Sequence, residues 1–191
     1  AIYSAVGTDT VSYGVARSAQ DTGNLGYKLA LDGGLTVSME AARNTSAGGT
    51  DNTYGVTYTG IDGLTLAAGT GMTATGGTAE VESTTFGVKY ATGGLTFGLQ
   101  LTDVETEGTT EEEDGVYMGV TYNVNDDFTI GYLRQETDFS GTSSDEEHTG
   151  FQASYSMGSI SFSGRVSKLD NMGGSATASD EDKHITMSIA F

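Results

Sequence analysis

The chain has 191 residues, enough for one domain, and carries 26 acidic against 8 basic side chains, a formal net charge of −18. That balance excludes a nucleic-acid-binding surface, which needs cations to displace counterions from phosphate. There is no cysteine, which excludes disulfides and thiolate metal sites, and no window approaches the roughly 20 apolar residues of a transmembrane helix.

Taken in order, the chain is a succession of segments in which apolar and polar residues alternate at period two, the mark of a two-faced strand. A stub at residues 2–6 is followed by Val11, Tyr13 and Val15, then by Leu25, Tyr27, Leu29 and Leu31. Leu35, Val37, Met39 and Ala41 come next, then Tyr54, Val56 and Tyr58, then Leu64, Leu66, Ala68 and Met72. Phe86, Val88 and Tyr90 precede Leu95, Phe97, Leu99 and Leu101. Val116, Met118, Val120 and Tyr122 precede Phe128, Ile130 and Tyr132. Phe151, Ala153 and Tyr155 lead to Ile160, Phe162 and Val166, and the chain ends with Ile185, Met187, Ile189 and Phe191. This predicts about thirteen strands of roughly 8–11 residues each. Tight turns of the Asp-Gly, Gly-Gly and Asn-Asp kind fall at residues 31–34, 60–63, 91–94, 123–127 and 157–159. Between them lie longer polar connections at 17–22, 44–50, 73–80, 105–113, 139–146 and 170–180, so that short and long connections alternate.

The second face of these strands is small and polar: Thr36, Ser38 and Glu40; Thr53, Gly55 and Thr57; Thr85, Gly87 and Lys89; Thr96, Gly98 and Gln100; Gly150, Gln152 and Ser154; Ser161, Ser163 and Arg165. A soluble sandwich would bury the apolar face and wet the polar one. A membrane barrel turns the apolar face to lipid and the polar face to a water-filled lumen. Three features favour the barrel. The polar face lacks the many Lys and Glu of a soluble surface, the acids being placed in the loops. Tyr58, Tyr90, Tyr122 and Tyr155 stand just before short turns, and Phe128 and Phe162 just after, as an interfacial girdle would require. Short turns fall at one end and long loops at the other. The expected fold is therefore all-β: an antiparallel transmembrane β-barrel with short periplasmic turns and longer extracellular loops.

The terminal strand closing on Phe191, the Gly- and acid-rich loops, and the run Tyr117-Met118-Gly119-Val120-Thr121-Tyr122-Asn123 resemble general diffusion porins of Gram-negative bacteria, those of alphaproteobacteria most closely. The resemblance implies a trimer of sixteen-stranded barrels in the outer membrane, with a long third loop folded inward. The chain departs from that plan in lacking a long early loop and in offering fewer strands. Residues 1–191 are thus expected to form a single β-barrel domain of about 12–14 strands, or part of a sixteen-stranded one lacking its N-terminal strands.

No enzyme constellation stands out: there is no Gly-x-Ser-x-Gly elbow, and neither His148 nor His184 has a metal-ligand spacing. By parity Lys28, Glu40, Lys89, Gln100, Gln152, Arg165 and His184 point to the lumen, where charge would set ion preference. Phe191 joins the girdle aromatics. Arg17, Arg43 and Arg134 read as rim residues. Glu111, Glu112, Glu113 and Asp114 crowd one acidic loop, where calcium would relieve their repulsion; without calcium the loop is a hydrated acidic rim. The expected function is a water-filled outer-membrane channel for passive diffusion of ions and small hydrophilic solutes, with lipid, lipopolysaccharide and two further copies of the chain as partners and no obligatory cofactor. The alternative is a secreted acidic β-rich calcium-binding structural or adhesion protein.

Overall fold

The computed structural model describes residues 24–44, 48–74, 79–110, 112–141 and 144–190. Eleven strands follow one another: β1 (Asn24–Leu31), β2 (Leu35–Asn44), β3 (Gly49–Ile61), β4 (Leu64–Ala74), β5 (Glu80–Thr92), β6 (Leu95–Thr106), β7 (Glu112–Asn123), β8 (Phe128–Phe139), β9 (Glu146–Met157), β10 (Ile160–Asp170) and β11 (Asp180–Ile189). They correspond one to one with the predicted strands from Leu25 onward. The two predicted strands before them, and Phe191, lie outside the described residues. Each strand pairs antiparallel with its neighbour in sequence, giving one sheet in the order β1 to β11. Among the described residues no ladder joins β1 to β11.

The five short turns sit where the sequence places them. Four carry a glycine at positive φ, at Gly33 and Gly34, Gly63, Gly93 and Gly158, a conformation costly for residues with a Cβ. The fifth uses a side chain instead. Asn125 Oδ1 accepts the backbone N–H of Asp127 at 2.9 Å and of Phe128 at 2.8 Å, an Asx turn. Each turn is stitched to the end of the strand after next: Thr59 N–H bonds Gly34 O, Ala91 bonds Gly63, Asn123 bonds Gly94, Ser156 bonds Asp127 and Ala190 bonds Ser159, all within 2.9 Å. A bulge between Tyr58 and Ile61 sets Gly60 against the preceding turn, where a Cβ would collide with the Gly33 carbonyl oxygen and the Tyr58 ring.

The long connections are shorter than expected. Strands β3 and β5 reach 13 residues, because their outer ends run into the predicted loops. Hydrophobic alternation stops there, but the backbone ladder continues, since its hydrogen bonds are made by main-chain groups whatever the side chains. Glu112, Glu113 and Asp114 accordingly lie on β7 rather than in a loop.

Burial is inverted relative to a soluble protein. Among the described residues, 29 large hydrophobic side chains are exposed, while the buried hydrophobic residues are Ala42, Tyr117 and Leu133. The buried polar set is larger: Asp51, Ser83, Gln100, Thr102, Gln135, Thr137, Glu146, His148 and Ser167. A flat sheet would expose both faces alike, so this sheet coils with its polar face inward.

Candidate functional site

Directly paired residues of a ladder share a face, so the register sorts every side chain as inward or outward. Lys28 pairs with Ser38, Ser38 with Gly55, Gly55 with Gly69, Gly69 with Thr85, and Thr85 with Thr102. Glu40 lies two positions from Ser38 on the same strand, Lys89 four from Thr85, and Gln100 two from Thr102. Gln100 continues the series across Tyr117, Gln135 and His148. Arg165 pairs with Gln152 on one side and His184 on the other. All seven residues therefore share one face of the sheet, the small and polar one, called inward below.

Register also gives height, which parity cannot. Lys28 and Lys89 stand three residues from the turn ends of β1 and β5, and Arg165 five residues from that of β10. The inward carboxylates gather near the loop end: Asp51 on β3, Glu113 on β7, Glu146 on β9, and Asp180 and Asp182 on β11. Glu40, five residues from the turn end of β2, is the exception. Charge on this face is graded along the strands, acid at the loop end and base toward the turns. Arg165 and Asp182 bridge the two zones with a 2.8 Å ion pair.

The inward face is not uniformly small. Tyr117 and Leu133 also lie on it, 3% and 6% exposed, because glycines make room for them. A Cβ at Gly115 would stand 2.6 Å from the Tyr117 hydroxyl, and one at Gly150 would stand 3.0 Å from Leu133 Cγ. Beside them Gln135, Thr137, Glu146 and His148 are buried at the loop ends of β8 and β9. His148, expected at a loop edge, belongs to this inner wall. The signal was available, since His148 shares parity with Gln152. The β10–β11 connection folds onto this region: the 3-10 turn Met172–Gly174 packs against β8 and β9, and the Gly173 N–H donates to Glu146 Oε2 at 2.8 Å.

The outward face carries an aromatic level near the turns. Phe128, Tyr155 and Phe162 pair in a continuous row across β8, β9 and β10, and Tyr90 pairs with Phe97. Tyr58 and Tyr122 stand among Leu35, Leu66, Leu95 and Ile130. Phe97 belongs to this level and was missed, although it sits just after the turn at Gly93-Gly94. A second aromatic level, with Tyr54, Phe86, Tyr132 and Phe151, lies four residues up the same strands, roughly 13 Å away. Above that the outward face becomes charged. Arg134 contacts Glu136 at 2.9 Å and Glu147 at 3.3 Å. Lys168 contacts Asp170 at 2.6 Å and Lys183 contacts Glu181 at 2.7 Å. On β5 to β8 acids oppose acids directly: Glu82, Glu105 and Glu112 form one row, and Asp103, Asp114 and Asp138 another.

The four acids considered for calcium do not form one cluster. Glu112 and Asp114 face outward and Glu113 inward, because consecutive strand residues alternate. Glu111 lies outside the described residues. Among the described residues no group of three or more His, Asp or Glu is arranged to hold a metal ion.

A family model described as Gram-negative porin matches residues 2–186. Among solved structures the chain is similar to an anion-selective porin from Comamonas acidovorans, with 15% identity, TM-score 0.71, and coverage of 88% of this chain and 59% of that one. It is also similar to a porin refined at 1.8 Å resolution, with 15% identity, TM-score 0.70, and coverage of 87% and 60%. OmpT, an outer membrane protein of Vibrio cholerae, shows 18% identity, TM-score 0.56, and coverage of 86% and 60%. At these identities the likeness is one of fold, and the chain spans about three-fifths of the length of each. No curated protein sequence matches the chain.

Proposed function

This chain belongs to the Gram-negative porin family, and on that premise we propose that it forms the wall of a water-filled channel in the bacterial outer membrane, through which ions and small hydrophilic solutes diffuse passively. The observation that carries this is the inversion of burial. Apolar strand residues such as Tyr27, Phe86, Phe151 and Ile185 are exposed, while Gln100, Gln135 and Thr137 are buried. Placing one such apolar side chain in an apolar phase is worth about 1.5–3 kcal/mol, so the face as a whole calls for lipid. The aromatic level near the turns suits a headgroup interface.

Transport needs no chemical step. Its selectivity comes from the width of the channel and the field of its wall. Lys28, Glu40, Lys89, Gln100, Gln152, Arg165 and His184 are the wall residues of this reading, supported by their common face. The loop side is taken as extracellular. An entering solute then meets Asp51, Glu113, Glu146, Asp180 and Asp182 before Lys28 and Lys89. The outward charged collar stands at headgroup height, where lipopolysaccharide is the partner of matching chemistry. A homotrimer is the assembly in keeping with the family.

The test is functional. Protein purified in detergent should migrate faster on gels unless boiled, run as a trimer after cross-linking, and give stepwise conductance in planar bilayers. A chain that stays soluble without detergent and conducts nothing sinks the proposal.

A further inference from the structure

We infer that the wall is charged in two zones stacked along the channel axis, and that the channel therefore rectifies, passing more current when the loop side is positive than when it is negative. This rests on the channel reading above and deepens it by naming how the wall governs ion flow. The field concerned runs along the pore rather than across it.

The two zones follow from the way the register distributes charge. Among the described residues the inward bases are Lys28, Lys89 and Arg165, all within five residues of a turn. The other described bases, Arg43, Arg134, Lys168 and Lys183, stand six to eight residues from a turn, and all four face outward. A described base thus faces the lumen only low on the wall. The carboxylates do the reverse. Asp51, Glu113, Glu146, Asp180 and Asp182 face inward seven to eleven residues from the turns. Glu40, five residues up β2, is the one described inward acid at the level of the bases. The lower zone holds three cations against one carboxylate, and the upper zone five carboxylates with no cation.

This sorting is more than a consequence of the net charge of −18. Arg134, Lys168 and Lys183 stand on β8, β10 and β11, beside the upper acids, yet they pair outside, with Glu136 and Glu147, with Asp170 and with Glu181. Two inward acids are fixed by main-chain donors: Asp51 Oδ1 accepts the Ala74 N–H at 2.9 Å, and Glu146 Oε2 accepts the Gly173 N–H at 2.8 Å. Arg165 and Asp182, joined at 2.8 Å, mark the boundary. The turn acids Asp32, Asp62, Asp126 and Asp127 stand beyond the lower zone on exposed tips, where water and salt screen them.

Glu113 lies seven residues further from its turn than Lys89 does from its own. That is roughly 23 Å along a strand, or about 17 Å along the axis at a tilt of about 40°. The separation exceeds the Debye length of about 10 Å in 0.1 M salt, so the zones act separately. Cations concentrate in the acidic zone and anions in the basic one. A positive loop side drives cations inward through the acidic zone and anions outward through the basic zone. Both accumulate at the boundary, and conductance rises. The opposite polarity draws both away from it, and conductance falls.

The test is the current–voltage curve of single channels of known orientation. The chain has no cysteine, so Ala176→Cys places a single thiol at an exposed loop position. Its reaction with an impermeant maleimide in proteoliposomes shows which side carries the loops before fusion to a planar bilayer. In about 0.1 M KCl, current with the loop side at about +100 mV should exceed that at about −100 mV by about two-fold or more. In about 1 M KCl, where the Debye length is about 3 Å, the ratio should fall close to one. Lys28→Glu, Lys89→Glu and Arg165→Glu together make both zones acidic and should bring the low-salt ratio close to one. A symmetric parent curve at low salt, a larger current at the opposite sign, or a ratio indifferent to salt overturns the inference. The salt series needs no charge variant, so it decides the matter whether or not the triple variant folds. A parent that conducts nothing overturns the channel reading itself, whereas one that conducts equally in both directions overturns rectification alone.

Discussion

Arg165 and Asp182 meet across β10 and β11 on the inward wall, with guanidinium Nη2 2.8 Å from carboxylate Oδ2. The two are not opposite each other in the ladder. Arg165 faces His184, and Asp182 faces Ser167, so the arginine reaches one step toward the loop end, where the acids gather. The pair sits where the two charge zones of the wall touch. Its side chains are 23% and 50% exposed, so its contribution to stability is small, about 0–1 kcal/mol.

Breaking this pair should therefore change selectivity more than folding. Asp182→Asn removes a negative charge from this face and should move the reversal potential in a salt gradient toward anion preference. Lys89→Glu combined with Arg165→Glu should move it toward cations. Reversal potentials unchanged from the parent in both variants would remove these residues from the conducting wall.

Neighbouring positions on β7 should respond oppositely to one charge. Val120 pairs with Phe97 and Tyr132 on the outward face, and Thr121 pairs with Thr96 and Gly131 on the inward face. Val120→Arg should cost about 2–4 kcal/mol in folding into lipid vesicles. Thr121→Arg should fold nearly as the parent does and raise anion preference. Urea titrations in vesicles measure the first effect and planar bilayers the second. Equal destabilisation of both variants would mean that the two faces are not distinguished by lipid.

The outward acid rows should be a source of strain relieved by salt. Glu105 stands between Glu82 and Glu112, and Asp103 opposes Asp114; like charges directly opposed across a ladder cost roughly 0.2–1 kcal/mol each. The double variant Asp103→Asn, Glu105→Gln should unfold at higher temperature than the parent in low salt. The gap should narrow above about 0.15 M salt, as the Debye length falls below about 8 Å. A gap independent of ionic strength would point to a cause other than charge.

The row Phe128, Tyr155 and Phe162 should matter to anchoring. Tyr155→Ala removes the middle ring, which pairs with both others. Aromatic pairs contribute about 0.5–1.5 kcal/mol beyond area burial, so the gel-shifted band should be lost at a lower temperature. Tyr155→Phe should keep most of the parent's behaviour. Equal loss in both variants would show that the hydroxyl, not the ring, is what counts.

Much of this protein is legible from alternation alone. Period-two patterning specified the strands from Leu25 onward, and the Gly, Asp and Asn turns specified their short connections, because both rest on local backbone and side-chain geometry. Parity assigned Lys28, Lys89, Arg165 and His184 to one face for the same reason. Two expectations differ from the structure for local reasons. Glu112, Glu113 and Asp114 looked like a loop because the apolar signal ends before the ladder does. His148 looked peripheral because it stands near a stretch of acids.

What the sequence determined by itself was the strand order, the two faces and the family, all of them consequences of residues within a few positions of one another. Only the tertiary structure decided height and proximity. The level at which each inward charge stands depends on the register of neighbouring strands, which no single strand encodes. The seating of residues 171–179 against Glu146 depends on a connection from β10 meeting β9, two elements whose closeness exists only once the sheet has coiled.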